Sequence, residues 1–461
     1  MRTKLEPGTA GSAKEATSTY EGTTGPSNRS AGRPLAATMR AGIAAVLPRD
    51  QLLRNGHLLA VSSLANAALG AVFWICASRW YDDRVVGLSY SALSAVTLLA
   101  SIGQLNLSDF LVRFVPSAGR HTRGLILTCY AACIVCSVVA AVVFLLLVPH
   151  ITPDLAFLLT PATGICFVVA TVGYSMFILQ DGALTGVRRP TWVMAENLMF
   201  AVVRNVLLAI CATVALFTGI LISWAGAFVA SFLVINFYLM RRAVPQHEQA
   251  SPEAVRPPRM VGYAAADYVG SLFRMAAYTF APLLVLNTLG AEQSAYFSLA
   301  WVVGFMLYLV TTNMGSSLIV EAVRSPGQLL THACRMLRHS ALLLALAAGG
   351  TVVFAPQFLS IFGPEYAEHG TTLLRLVALS ALPNLVVSLA VDVARARRKL
   401  RMVVGLQLAL CVLVIGLAAV LLPLLGLSGA GVAWLMAQCL LALYLLIWRS
   451  HWLPRSSEPT S

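Results

Sequence analysis

Within the apolar run from Gly262 to Leu289 stand two ionisable residues, Asp267 and Arg274. They are seven apart, close to two helical turns, and share a face with Ser271 and Tyr278. A charge inside a bilayer is costly, so such a face turns toward protein or a water-filled cavity. Two readings compete: an ion pair that locks helices together, and the polar wall of a transport cavity. A second run carries Asn197 and Arg204, again seven apart, with Glu196 and Asn205 beside them. Arg204 and Arg274 both fall near mid-membrane at a rise of about 1.5 Å per residue. Arg79 and Arg113 flank them, one near the outer end of the first span and one at the inner end of the second. Facing one cavity, the four would form a ladder of guanidinium groups, which bind phosphate oxygens in a bidentate fork. For Arg79 and Arg113 the competing reading is snorkelling at the interface. Asn66, Asn106, Asn287 and Asn313 read as helix-to-helix hydrogen bonders.

The elements that must position these residues are transmembrane helices. The 461 residues are 58% hydrophobic and only 11% charged, against about 25% charged in soluble domains. The net charge of +13 lies in short clusters between apolar runs. That pattern marks membrane topology, not nucleic-acid binding. Hydrolase, kinase, P-loop and zinc signatures are missing, so neither an enzyme nor a cofactor is expected. Cys129, Cys133 and Cys136 lie inside a span and read as small hydrophobes.

Twelve spans are expected, at 58–78, 86–110, 124–148, 157–179, 192–214, 218–240, 262–288, 293–320, 333–355, 371–393, 402–422 and 428–448. With the N-terminus inside, 27 of the 32 Lys and Arg fall in inner segments, two (Arg79, Arg84) in outer ones and three (Arg204, Arg274, Arg375) within spans. Both termini and the loop Arg395–Arg401 are therefore expected in the cytoplasm, and Pro356–Gly370 outside as the longest outer loop. Residues 1–50, rich in Gly, Ser, Thr, Ala and Pro, read as a disordered tail. The remainder divides into a six-helix lobe (51–242), a cytoplasmic linker (243–260), a second six-helix lobe (261–450) and a short tail (451–461). An internal echo supports two lobes. GLSYSALSAV from Gly87 resembles QSAYFSLAWV from Gln293, aligning Tyr90 with Tyr296, and Asp181–Arg188–Arg189 parallels Asp392–Arg397–Arg398. Six helices per copy give both copies the same orientation, with a site between them. The expected fold is thus all-α and polytopic, with two pseudo-symmetric lobes around a central cavity.

Several stretches resemble a known family. IFGPEYAEHGTTLLRLVALSAL from Ile361 is similar to an FG-x-E-Y turn followed by LLR, and LLPLLGLSGAGVAWLMAQCLLAL from Leu421 to a final hairpin with a Gly-rich turn. LGAEQSAYFSLAWVVG from Leu289, QDGALTGVRRPTW from Gln180 and LSDFLVRFVP from Leu107 add to the likeness. Together they resemble the polysaccharide or O-antigen flippases of the multidrug/oligosaccharidyl-lipid/polysaccharide exporter superfamily. The resemblance implies alternating-access transport of a polyprenyl-diphosphate-linked oligosaccharide across the cell membrane, with an anionic lipid-linked glycan, membrane lipids and other polysaccharide-assembly proteins as partners. By position Arg113 resembles a cavity-facing basic residue of related lipid-precursor flippases. Arg274 is expected to bind the diphosphate, with Asp267 balancing it in the empty carrier. A drug or cation exporter of the same superfamily, whose cavity should be acidic and aromatic, a membrane glycosyltransferase or ligase, and a non-transporting scaffold are the alternatives.

Overall fold

The computed structural model describes residues 51–250, 261–324, 329–397 and 399–448. Every element among them is helical: α1 (Gln51–Trp80), α2 (Asp83–Gly103), α3 (Leu107–Ala118), α4 (Thr122–Ile151), α5 (Pro161–Gly186), α6 (Pro190–Thr213), α7 (Gly219–Tyr238) and α8 (Val244–Ala250), then α9 (Val261–Leu289), α10 (Ala291–Arg324), α11 (Leu329–Val353), α12 (Ala355–Ser360), α13 (Pro364–Ala396), α14 (Leu400–Leu425) and α15 (Leu427–Ile447). Helix starts follow local chemistry. The Asp82 carboxylate accepts the Arg84 N–H at 2.9 Å and caps α2. Proline opens α5, α6 and α13, where its missing N–H costs nothing. Gly426, with φ +60°, turns α14 directly into α15, a conformation that glycine adopts without strain.

Twelve of these helices, all but α3, α8 and α12, are twenty residues or longer. Nine candidate spans among the described residues are long and apolar enough to cross a membrane, so the chain is a multi-pass membrane protein. The element order repeats: a short helix sits between the third and fourth long helices (Pro153–Leu159) and again between the ninth and tenth (α12).

Three expectations change. The second span stops at Gly103 instead of 110, because Leu105 and Asn106 adopt positive φ (50° and 56°) and break the helix. The chain resumes as α3, a twelve-residue amphipathic helix that buries Leu111 and Val115 and carries Arg113 on its exposed side. Pro356–Gly370 is not a loop: α12 and the start of α13 fill it, leaving only Ile361–Gly363 as the link. The segment 243–260 begins as helix, since α7 passes through a π-helical turn into α8. Residues 1–50 and 451–461 lie outside the described residues.

Contacts divide the chain into Met1–Leu58 and Leu59–Ser461, and the packing below is that of the second unit. In its first half α6 packs on α7, and α5 on α7, α3 and α4; in its second half α9 packs on α14, and α13 on α10, α11 and α15. Helix α2 joins the halves, touching α9 and α10 on one side and α4 and α5 on the other. Gly87 permits this approach, since a Cβ there would overlap the Ala291 carbonyl oxygen.

The unit has a basic end and a far end. At the basic end the Arg123 N–H donates to Glu248 (2.9 Å), Arg189 to the Gln246 side chain (2.9 Å), and a His247 ring nitrogen lies 3.0 Å from the Val115 carbonyl oxygen. At the far end the halves are tied by side chains. Arg79 donates to the Ile361 carbonyl at 2.9 Å, and Ser78 to that of Phe362 at 3.1 Å. Tyr366 donates to Asp83 at 2.6 Å, and the Tyr296 hydroxyl lies 3.2 Å from Asp83 and 3.0 Å from Glu365, so it donates to one carboxylate at a time.

Candidate cavity between the two halves

A cavity of about 450 Å³ lies between the halves. Its wall comes from five helices plus Tyr174 of α5: Gly70 and Trp74 of α1, Tyr90 and Thr97 of α2, Trp224 of α7, Tyr278 of α9, and Trp301 and Phe305 of α10. Ser91 and Ser294, hydroxyls 3.0 Å apart, close α2 against α10 on its far side. None of the described residues lining it is ionisable as an acid or base at neutral pH. The wall is aromatic and neutral.

One cation stands directly behind that wall. Arg204 of α6 is 6% exposed, with its guanidinium carbon 4.4 Å from the Phe73 ring centroid, 4.8 Å from Trp224 and 5.1 Å from Phe200. Aromatic faces carry negative charge density and hold a cation by about 0.5–2 kcal/mol each. Among the described residues no carboxylate pairs with Arg204, and its Nε has no hydrogen-bond partner. Gly70 is the cavity-lining position next to it: a Cβ there would make ordinary contact with Arg204 Nη2, at 3.8 Å. Gly70 and Trp224 thus belong to both the box and the cavity wall. The adjacent Asn205 anchors α6 by donating to the Leu69 carbonyl of α1 at 3.1 Å.

The other expected site residues have different settings. Tyr278 lines the cavity, its ring 5.0 Å from Trp434 and 5.4 Å from Phe305. Arg274 is half-buried and acts electrostatically on both Tyr278 and Asp392, a carboxylate of α13. The side chain of Asp267, the partner expected from spacing, lies outside the described residues. Glu196 is fully buried but away from the lining residues, where the Gln180 amide donates to it at 2.6 Å and accepts from the Asn236 N–H at 2.8 Å. Asp181 lies close enough to act on Glu196. Asn197 donates to the Val193 carbonyl one turn back, at 2.9 Å, along its own helix. Arg79 belongs to the far-end ties and Arg113 to α3. Of the four arginines of the expected ladder, Arg204 lies behind the cavity wall beside Gly70 and Arg274 acts on the lining residue Tyr278, while Arg79 and Arg113 sit at opposite ends. Of the interhelical asparagines, Asn287 donates from α9 to the Ile151 carbonyl of α4 at 2.6 Å. Cys129 and Cys133 pack in an apolar cluster with Ile126 and Leu179. Among the described residues no three His, Cys, Asp or Glu side chains converge as a metal site requires.

Spacing alone could not find Phe73, Trp224 or Asp392 as neighbours of these arginines. Phe200, one turn before Arg204, was the only wall of the box legible in sequence.

No family model matches the chain, and no curated protein matches its sequence. Solved structures do. An inward-facing multidrug resistance MATE family transporter of the MOP superfamily matches with TM-score 0.60 at 14% identity, over 84% of this chain and 93% of that one. The MATE multidrug transporter DinF-BH matches with TM-score 0.60 at 12% identity, over 86% and 95%. A MOP superfamily transporter from Pyrococcus furiosus, described as having a binding pocket of reversed polarity, matches with TM-score 0.59 at 14% identity, over 87% and 95%. The chain has the fold of the MATE transporters of the MOP superfamily.

Proposed function

We propose that this chain is an alternating-access carrier of an anionic amphiphile, a polyprenyl-diphosphate-linked oligosaccharide, flipped across the cell membrane for cell-surface polysaccharide synthesis. The observation that carries the reading is Arg204: a buried guanidinium, boxed by three rings, unpaired with any described carboxylate and set directly behind the cavity wall beside Gly70 and Trp224. A charge held in an apolar site without a counter-ion is available to an incoming anion, and a diphosphate offers the planar fork of oxygens it suits. The cavity volume of about 450 Å³ accommodates a diphosphate and a sugar, not a whole oligosaccharide. Loading therefore requires the halves to part, and the far-end ties assign the parting to the basic end. By the charge rule that end faces the cytoplasm, along with both termini. Other polysaccharide-assembly proteins are the expected partners.

A drug-exporting reading has its own support, the aromatic wall of Trp74, Tyr90, Trp224, Tyr278, Trp301 and Phe305. Such a wall stacks planar organic cations. Among its described lining residues there is no carboxylate of the kind a cation carrier would use to balance charge.

Reconstituted vesicles separate the two. The chain should flip a fluorescent polyprenyl-diphosphate-linked sugar and the Arg204→Gln variant should not, at equal protein incorporation. Uptake of a cationic dye by both proteins, with no flipping of the lipid-linked sugar by either, would overturn the proposal in favour of drug export.

A further inference from the structure

A second cavity, of about 510 Å³, lies apart from the central one, between α14 and α15. Its walls are Met402, Gly405 and Leu413 of α14 facing Leu440 and Tyr444 of α15, with Trp448 at the mouth. Every described lining side chain is apolar or aromatic. The groove opens at Gly405 and Ala409. A Cβ at Gly405 would meet nothing within 4 Å, so the missing side chain opens space that the protein leaves unfilled.

Its position in the bilayer is set by the helix ends. α14 begins at Leu400 and α15 ends at Ile447, so the mouth at Met402 and Trp448 is at the basic end. From Met402 to Leu413 the groove runs about 16 Å along the helix, which takes it from that end to the middle of a hydrocarbon core of about 30 Å. That is the depth of one acyl chain of one leaflet. Tyr444 and Trp448, one turn apart, stand at the height where aromatic rings meet lipid headgroups. Lys399 and Arg401 are exposed at the mouth, and Arg401 lies one turn before Gly405 on the same stripe. A basic mouth above an apolar slot of acyl depth fits an anionic amphiphile of the leaflet at that end.

We propose that this groove is a binding site for an anionic phospholipid, one acyl chain lying along Gly405 and Leu413 and its phosphate held by Lys399 and Arg401. The site is distinct from the central cavity and does not depend on what that cavity carries.

The test uses the full chain in phosphatidylcholine vesicles doped with a phospholipid bearing a diazirine near its acyl terminus, as either the phosphatidylglycerol or the phosphatidylcholine. After photolysis, labelled peptides are mapped. Peptides covering 402–413 and 440–448 should be labelled by the phosphatidylglycerol about fivefold or more above the phosphatidylcholine, given roughly fivefold per basic residue near the surface. Lys399→Gln with Arg401→Gln should bring the two lipids to equal labelling. Gly405→Leu should abolish labelling in the groove while leaving labelling elsewhere unchanged. It adds a side chain to open space in a helix that favours leucine over glycine, so folding is preserved. Equal labelling by both lipids in the unaltered chain would overturn the proposal. So would groove labelling that survives Gly405→Leu, or labelling there only by a photoreactive polyprenyl phosphate.

Discussion

Arg204 and Arg274 look alike in the sequence, each near mid-span and each seven residues from a polar partner. The structure places them in opposite circumstances. Arg204 sits in a ring of Phe73, Phe200 and Trp224, with no described carboxylate and with Gly70 of the cavity wall beside its Nη2. Arg274 stands within the field of Asp392, which also meets Arg395 at 3.9 Å. The difference teaches that an intramembrane arginine is read by its counter-ion, not by its depth. A compensated arginine holds helices together; one held by aromatic faces, with no carboxylate among the described residues, keeps its hydrogen-bonding edge for an anion.

The comparison breaks most visibly under charge-conserving change. Arg204→Lys keeps the charge and the ring contacts but loses the fork, so affinity for a polyprenyl diphosphate should fall about tenfold. Arg274→Lys should leave that affinity within about twofold, because a carboxylate accepts either cation. Titration calorimetry in detergent compares them, and equal losses would erase the distinction. Neutralisation sharpens it in stability. Arg274→Gln should cost about 1 kcal/mol by leaving Asp392 with a weaker partner, and adding Asp392→Asn should recover it. Thermal unfolding of single and double variants reads the coupling; strict additivity would remove Asp392 from the account.

The far end supplies a smaller effect. Asp83→Asn weakens the hydrogen bonds from Tyr366 and Tyr296 across the two halves. A single cysteine at Ser94, on the cavity wall, should then react severalfold faster with a membrane-impermeant thiol reagent from the far side. An unchanged rate would mean those bonds do not hold the halves closed. Deleting residues 2–45 should change transport least of all, since that segment has too little apolar content to build a core. Complementation at equal expression checks this.

Much of the fold was legible in the sequence because bilayer chemistry is coarse. Length and hydropathy define spans, and the split of Lys and Arg orders them. The places where that reading failed are local. Span-finding could not see that Leu105 and Asn106 leave the helical region, because apolar residues continue on both sides of the break. Nor could it see that the FG-x-E-Y turn is mostly helix, with Glu365 and Tyr366 placed to meet Tyr296 and Asp83 from other helices. The candidate site was legible in part. Charge inside an apolar run pointed to Arg204 and Arg274, and the shared stripe to Tyr278. The rings around Arg204 come from α1, α6 and α7, and no periodicity within one helix encodes a contact between three.

The central claim is that Arg204 is the anion-binding group of the cavity. The direct measurement compares the Kd of a short-chain polyprenyl diphosphate with that of the matching neutral polyprenol, in the unaltered chain and in Arg204→Gln. Two charge-assisted hydrogen bonds predict a preference for the diphosphate of about tenfold or more, lost in the variant while polyprenol binding is unchanged. A preference for the diphosphate that survives in Arg204→Gln would contradict the account.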